Sequence, residues 1–250
     1  MADQTRTSFP ADGRAAGARL NPPLGAILIS NIIGGLAAGQ AGGRGPMAVL
    51  LGGLGLISWF IGLRWYGLPG MGLRGRRPLF AGIGFAALGW LVFLLSRFWV
   101  EIVAVGSGET GRAFVYFLLF EAFSVQLWAF GLVFRTVAGW RGPMTAVLVS
   151  AAVFGLVAFL TFEESYVPAA GALFYFLVWG FLYGLIRLRT GSLMGMVLVQ
   201  AMQSLTAWHV FVPAAPPDPA QLQRLYFSSA MLYLVLIWRL WPKVKEDYRI

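Results

Sequence analysis

The sequence predicts an all-α membrane protein, a polytopic bundle of about eight transmembrane helices. Of its 250 residues, 58% are hydrophobic and only 12% are charged, about half the charged share of a soluble domain. The apolar residues form continuous runs of about 17 to 25, the length that crosses a bilayer as a helix. Strands of a membrane barrel would instead alternate over segments of about ten residues. The continuous runs therefore predict helices, which satisfy their own backbone hydrogen bonds in lipid.

Apolar spans follow one another along the chain, with a polar tail at each end. Residues 1–23 are predicted to be a polar cytoplasmic tail, 24–241 the transmembrane bundle, and 242–250 a basic cytoplasmic tail. The spans are expected at residues 24–41, 46–66, 79–100, 113–134, 143–162, 169–186, 191–210 and 225–241. Because only residues 42–45 separate the first two spans, these could instead form a tight helical hairpin.

Two local patterns bear on how the spans are joined and packed. The segment 212–219, between the last two spans, has four prolines among eight residues. Proline breaks the interior of a helix, so this segment is predicted to be a rigid loop on the outer side. The small residues in Gly52-Gly53-Leu54-Gly55 recur at helical spacing, and they are interpreted as a surface for close helix packing.

The distribution of basic residues predicts the orientation. With eight spans, 15 of the 19 Lys and Arg residues fall on one side of the membrane. Cytoplasmic loops carry such an excess, and an odd number of spans would mix the two sides. We therefore expect a multi-pass protein of the cell (inner) membrane with both termini in the cytoplasm. The same excess accounts for the net charge of +9, so no nucleic-acid partner is expected.

Residue usage excludes several kinds of site. The chain has no cysteine and one histidine, His209, so disulfides, thiolate catalysis and a multi-histidine metal site are excluded. No cofactor and no metal are predicted. His209 follows Trp208 at the end of a span and is interpreted as an interfacial side chain, the alternative being a single ligand to a metal, haem or chlorin. The 15% aromatic content is attributed mainly to contact with the lipid bilayer, with an interface to other membrane protein subunits as the alternative.

Motifs in the second half of the chain carry a family resemblance. Residues 181–193 read FLYGLIRLRTGSL, and residues 197–204 read VLVQAMQS. Upstream, the stretch from Gln126 to Arg135 is followed by Arg141-Gly142-Pro143 and by an apolar span that contains Phe154. This pattern resembles the CPBP family of intramembrane proteins, which includes the CAAX prenyl-protein endopeptidases and bacteriocin-processing proteins. The resemblance extends over about 117–206 and implies a CPBP-like core at about 113–210.

The chain departs from the family at the positions that carry the chemistry. In the family, a Glu-Glu-x-x-x-Arg motif and two later histidines supply the general base and the metal ligands. The resemblance places that motif on Glu121, Ala122 and Gln126, the two histidines on Ala158 and Gln200, and the family's asparagine on Gln203 or Ser204. Only Glu121 keeps a family residue. A catalytic zinc takes about three protein ligands and a water, so metal-dependent proteolysis is not expected. Glu163-Glu164 lies too close to Arg189 to be the family's diglutamate, and it is assigned to an outer loop.

Four polar side chains are predicted to form an intramembrane cluster: Glu121, Gln126, Gln200 and Gln203. Glu121, Ala158 and Gln200 fall at similar depth in the outer half of the bundle. A carboxyl group at such depth needs hydrogen-bond donors, and the amides of Gln126 and Gln200 can provide them. The cluster is either a polar cavity reused for binding or a structural contact in which a neutral glutamic acid joins helices; we favour the structural interpretation.

The functional expectation follows from a chain that resembles the family in fold but lacks most of its catalytic and metal-ligating residues. Our first hypothesis is a catalytically degenerate CPBP-like protein that acts by binding, as a scaffold, assembly factor or accessory subunit of a larger membrane complex. The alternative is a divergent intramembrane metalloprotease in which Glu121 is catalytic. A second alternative, transport of a small molecule or lipid, depends on the polar cavity.

Overall fold

The computed structural model describes residues 44–249, apart from 107, 109, 163–169, 216–217 and 245–246. The predicted tail at 1–23 and the first span at 24–41 lie outside the described residues. The choice between a hairpin and two spans concerns these same residues. Glu163-Glu164 also lies outside the described residues.

The described chain folds into helices in the order that the apolar runs predict. They are α1 (Gly45–Gly70), α2 (Arg77–Val100), α3 (Thr110–Arg141), α4 (Pro143–Thr161), α5 (Ala170–Thr190), α6 (Met194–Leu205, continued by a π turn at Thr206–Val210) and α7 (Pro219–Leu240). Each predicted span from 46–66 onward falls on one of these helices. The all-α membrane class is therefore confirmed.

Within the described part of the chain, five helices are long and apolar enough to cross a membrane: Gly45–Gly70, Arg77–Val100, Thr110–Arg141, Pro143–Thr161 and Gly171–Thr190. The other two described helices do not meet this criterion of length and apolarity. Helix α6 has 12 residues before its π turn, and α7 carries Gln221, Gln223 and Arg224 near its start. The chain is a multi-pass membrane protein, and the count of about eight spans stays a prediction.

The turns of the family-like core form where glycine precedes a polar or proline residue. Gly142 adopts φ +95°, a conformation that favours glycine, and Pro143 then starts α4. Gly191, at φ +71°, ends α5. In this second turn the Thr190 hydroxyl accepts a hydrogen bond from the Ser192 backbone N–H at 3.2 Å. The Arg-Thr-Gly-Ser-Leu sequence therefore reverses the chain between α5 and α6.

At the other end of the bundle, a short antiparallel β-ribbon replaces part of the loop predicted at 212–219. Strand β1 (Val103–Val105) pairs with β2 (Phe211–Pro213), with Val103 opposite Pro213. The first half of the predicted loop 212–219 is thus partly strand, and Pro219 begins α7. A proline is tolerated in the first turn of a helix because the N–H there has no partner within the helix.

Small residues bring the helices into close contact. A Cβ added to Gly180 on α5 would lie 2.6 Å from the carbonyl oxygen of Ala151 on α4. On α1, a Cβ on Gly52 would meet the Phe120 ring of α3 at 2.9 Å, whereas Gly53 faces open space. The predicted role of the Gly52–Gly55 stretch in helix packing is confirmed for Gly52, and Gly55 packs in the same way against Ser124.

Many aromatic side chains lie inside the bundle and not against lipid. Trp179 on α5 is fully buried and contacts Tyr175, Tyr183 and Phe154 with ring centroids 5.5 to 5.6 Å apart. These rings fill the space between α4, α5 and α7. Lipid contact is therefore the wrong explanation for this part of the aromatic content.

Candidate functional site

The site begins on α3, whose middle is wound as two π segments, Phe117–Ser124 and Leu127–Val133. Glu121 lies in the first of them and is 1% exposed. A π turn places an extra residue in the helix and occurs often at functional sites. The apolar pattern is the same for an α-helix and a π-helix, so nothing in the sequence indicated these segments.

A chain of hydrogen bonds between amides connects α3 with α6. Gln126 Nε2 donates to Gln200 Oε1 at 2.7 Å, and Gln200 Nε2 donates to the backbone oxygen of Glu121 at 2.9 Å. Both glutamines are fully buried. Both amides were expected to donate to the Glu121 carboxyl group; Gln200 donates to the Glu121 backbone carbonyl instead, and Gln126 donates to Gln200.

Gln203, the fourth residue of the predicted cluster, makes contacts of its own. Its Nε2 donates to the Tyr175 hydroxyl at 2.9 Å and lies 3.5 Å from the Tyr233 hydroxyl. It therefore joins α6 to α5 and α7, whereas Gln126 and Gln200 join α6 to α3. Gln126 Oε1 and Gln203 Oε1 are both buried and accept no hydrogen bond from the described part of the chain.

The residues at the family's ligand positions do not fit a metal ion. Ala158 on α4 is fully buried and has no donor atom, and Gln200 presents a neutral amide that already has two partners. Within the described residues no group of three His, Cys, Asp or Glu side chains could hold a metal. Zinc sites use imidazole, thiolate or carboxylate ligands, so this donor set does not suit a catalytic zinc.

The single histidine lies near the N-terminal end of α3. The His209 ring is 6.4 Å from the ring of Phe117, which precedes Glu121 by four residues. Its Nε2 faces Gly108, where a Cβ would lie 2.9 Å away. The side chain is half-buried and lies at the end of α6.

A buried ion pair lies at the end of α2, where the predicted span 79–100 ends, and it was not predicted from the sequence. Arg97 Nε lies 2.9 Å from Glu101 Oε2, and the two side chains are 1% and 3% exposed. The Arg97 guanidinium also lies 4.5 Å from the centroid of the Trp208 ring. The i, i+4 spacing of opposite charges was the signal that could have revealed the pair.

Arg187 lies on α5, which continues to Thr190, four residues beyond the predicted span 169–186. Its side chain is 1% exposed. Nε donates to the Phe130 carbonyl at 3.2 Å, and Nη2 donates to the Gly70 carbonyl at 3.0 Å. Arg187 on α5 therefore forms hydrogen bonds with both α3 and the end of α1.

Comparison with known proteins places this site within a family. The family model for type II CAAX prenyl endopeptidase Rce1-like proteins matches residues 108–206, which run from the start of α3 to the first residue of the π turn after α6. No curated protein and no solved structure matches the chain. The matched segment includes Glu121, Gln126, Ala158, Gln200 and both reverse turns. The match over residues 108–206 shows that this part of the multi-pass membrane protein is similar to the Rce1-like proteins of the CPBP family, and it supports the family resemblance read from the sequence.

Proposed function

We propose that this protein has lost the endopeptidase chemistry of its family and acts by binding, as a scaffold, assembly factor or accessory subunit of a larger membrane complex. The observation that supports the proposal is the hydrogen-bonded chain from Gln126 through Gln200 to the Glu121 carbonyl. These side chains stand at positions where the family carries arginine, histidine and glutamate. Here they bind one another across two helices.

The chemistry of these groups argues against hydrolysis. A metallo-endopeptidase needs a water polarised by a metal and a base that accepts its proton. An amide is not a base at physiological pH, and alanine offers no lone pair. Glu121 alone could accept a proton, but no group at the equivalent positions would activate the water.

One observation favours a second candidate, a divergent endopeptidase. Glu121 keeps the family residue, is 1% exposed and lies within a π segment. In that case Glu121 would be the general base. The two functions differ in what Glu121→Gln does: it abolishes peptide hydrolysis by an enzyme and leaves a binding protein's partner in place.

The test is purification from the native membrane in a mild detergent at native expression level. We expect partner proteins in stoichiometric amount and zinc far below one atom per chain, with the same partners bound to Glu121→Gln. Asp247→Asn, which removes a carboxylate outside the bundle, is the matched control. About one zinc per chain, together with chelator-sensitive cleavage of a prenylated CAAX peptide that Glu121→Gln abolishes, would refute the proposal and establish the endopeptidase.

We also propose that the protein lies in the cell (inner) membrane, with lipid and other membrane subunits as partners and with both termini in the cytoplasm. The turns 71–76, 141–143 and 191–193 lie at one end of the bundle and carry or adjoin Arg74, Arg76, Arg77, Arg141, Arg187 and Arg189. An excess of positive charge is typical of cytoplasmic loops. Since the chain has no cysteine, single cysteines introduced at Gly75 and Ala104 can be labelled separately. We expect an impermeant thiol reagent added from outside to label Ala104→Cys and not Gly75→Cys; the reverse pattern would overturn the orientation.

A further inference from the structure

Three arginines meet at the end of the bundle where α1, α3 and α5 come together. Arg187 is buried on α5, and Arg74 and Arg135 are half-buried on the α1–α2 turn and on α3. Both are near enough to Arg187 to repel its charge. We call these three residues the arginine cluster. Neighbouring like charges in a protein are costly unless an anion compensates them.

The surrounding turns hold the cluster in place. Gly72 lies against Arg187, since a Cβ there would be 2.6 Å from Cζ. Arg74 Nε donates to the Pro69 carbonyl at 3.2 Å, and the Ser192 hydroxyl donates to the Arg74 carbonyl at 2.7 Å. The guanidinium groups of Arg74 and Arg187 are thus positioned by backbone contacts from two turns.

Part of the cluster's hydrogen-bonding capacity has no partner in the protein. Arg187 Nη1 is buried and meets no acceptor among the described residues. Across the same described ranges, no carboxylate forms an ion pair with Arg74, Arg135 or Arg187. Asp247, at this end of the bundle, lies 3.6 Å from Arg189 and accepts a hydrogen bond from the Lys243 backbone N–H at 3.0 Å. That hydrogen bond lowers the pKa of Asp247. The carboxylate therefore stays ionised and pairs with Arg189 and not with the arginine cluster.

From this geometry we propose that the arginine cluster binds a phosphate group, carried by an anionic phospholipid of the adjacent leaflet. Arginine presents paired N–H donors that match phosphate oxygens. Basic pockets between transmembrane helices are a known setting for lipid headgroups. The site differs from the Gln126–Gln200 chain, and the proposal does not depend on the loss of catalysis.

The position of aromatic residues favours a lipid over free phosphate. Trp65 on α1, Trp140 on α3 and Trp241 after α7 lie at the same end of the bundle as the cluster and are 56%, 72% and 46% exposed. Exposed tryptophans collect at the level of the lipid headgroups. The arginine cluster therefore lies at the depth where a phospholipid presents its phosphate.

The experiment uses the full chain in vesicles of phosphatidylcholine alone or of phosphatidylcholine with phosphatidylglycerol. Bound lipid is counted by native mass spectrometry after extraction, and the melting temperature is followed by tryptophan fluorescence. The double variant Arg74→Gln/Arg135→Gln leaves the structural hydrogen bonds of Arg187 intact. We expect it to weaken phosphatidylglycerol binding by about 30-fold, about fivefold for each arginine, and to lose the rise in melting temperature that phosphatidylglycerol produces in the wild type.

The control is Arg64→Gln/Arg77→Gln, which removes the same charge at the same end from exposed positions outside the cluster. It should retain phosphatidylglycerol binding within about twofold. Equal loss in both double variants would overturn the proposal, because the attraction would then be general and not local. Saturation of the site by inorganic phosphate in detergent, with no preference for the lipid, would overturn the assignment to a phospholipid.

Discussion

Removal of the Gln200 side-chain amide is expected to weaken the fold, because that amide joins two helices. Gln200→Met keeps nearly the same length and volume but deletes both hydrogen bonds, the one from Gln126 and the one to the Glu121 carbonyl. Gln126 Nε2 is then left buried without its acceptor. The change tests whether the amide chain is a structural contact or the lining of a binding cavity.

The expected size of the effect follows from these contacts. Hydrogen bonds between transmembrane helices contribute about 0.6 kcal/mol each on average and about 1.7 kcal/mol at most. An unsatisfied buried donor costs about 1–3 kcal/mol. We therefore expect Gln200→Met to lower the free energy of unfolding by about 2 kcal/mol. The double variant Gln126→Met/Gln200→Met leaves no orphaned amide and should cost less than the sum of the two single variants.

Reversible unfolding in mixed detergent micelles, followed by tryptophan fluorescence, measures these differences. Gln221→Met is the matched control, because Gln221 is exposed on α7 and its replacement should change the free energy of unfolding by less than about 0.5 kcal/mol. The structural interpretation would be refuted if Gln200→Met had the stability of the wild type but no longer bound a ligand or partner. The amides would then line a binding site.

Two further predictions concern buried contacts elsewhere in the bundle. Glu101→Gln leaves the buried Arg97 guanidinium without its counter-charge and should lower the free energy of unfolding by about 3–5 kcal/mol; a loss below about 1 kcal/mol in the same unfolding assay would contradict this. Gly180→Ala places a Cβ 2.6 Å from the Ala151 carbonyl oxygen and should cost about 1–3 kcal/mol through overpacking. Gly84 on α2 faces open space, so the control Gly84→Ala should be neutral or stabilising by about 0.5–1 kcal/mol. Equal effects of the two alanine substitutions would show that α4 and α5 are not in close contact.

The helices could be predicted from the sequence because each one depends mainly on its own residues. The span expected at 143–162 is the helix Pro143–Thr161, since Gly142 and Pro143 mark its start and its apolar run sets its length. The β1–β2 ribbon could not be predicted in this way. It pairs Val103 with Pro213, and a contact between residues so far apart in sequence leaves no local pattern.

The site was only partly predictable. Motif spacing predicted that Glu121, Gln126 and Gln200 lie near one another, but it indicated neither the π segments on either side of Gln126 nor which atoms form hydrogen bonds. The count of basic residues on each side of the membrane does not show that Arg97 and Arg187, near the ends of their helices, are buried. Both arginines have buried partners, which single-sequence reasoning does not supply.

The exchange of charged groups for amides explains how this fold can persist without a metal. A buried arginine or histidine needs a counter-charge or a metal to offset its desolvation. A glutamine amide provides a donor and an acceptor in one neutral group, so Gln126 and Gln200 can join α3 to α6 with no ion between them. The same substitutions that remove the family's ligands therefore supply a contact that holds its helices together. This contact is the physical basis of our proposal that the chain has lost the catalysis of its family and acts by binding.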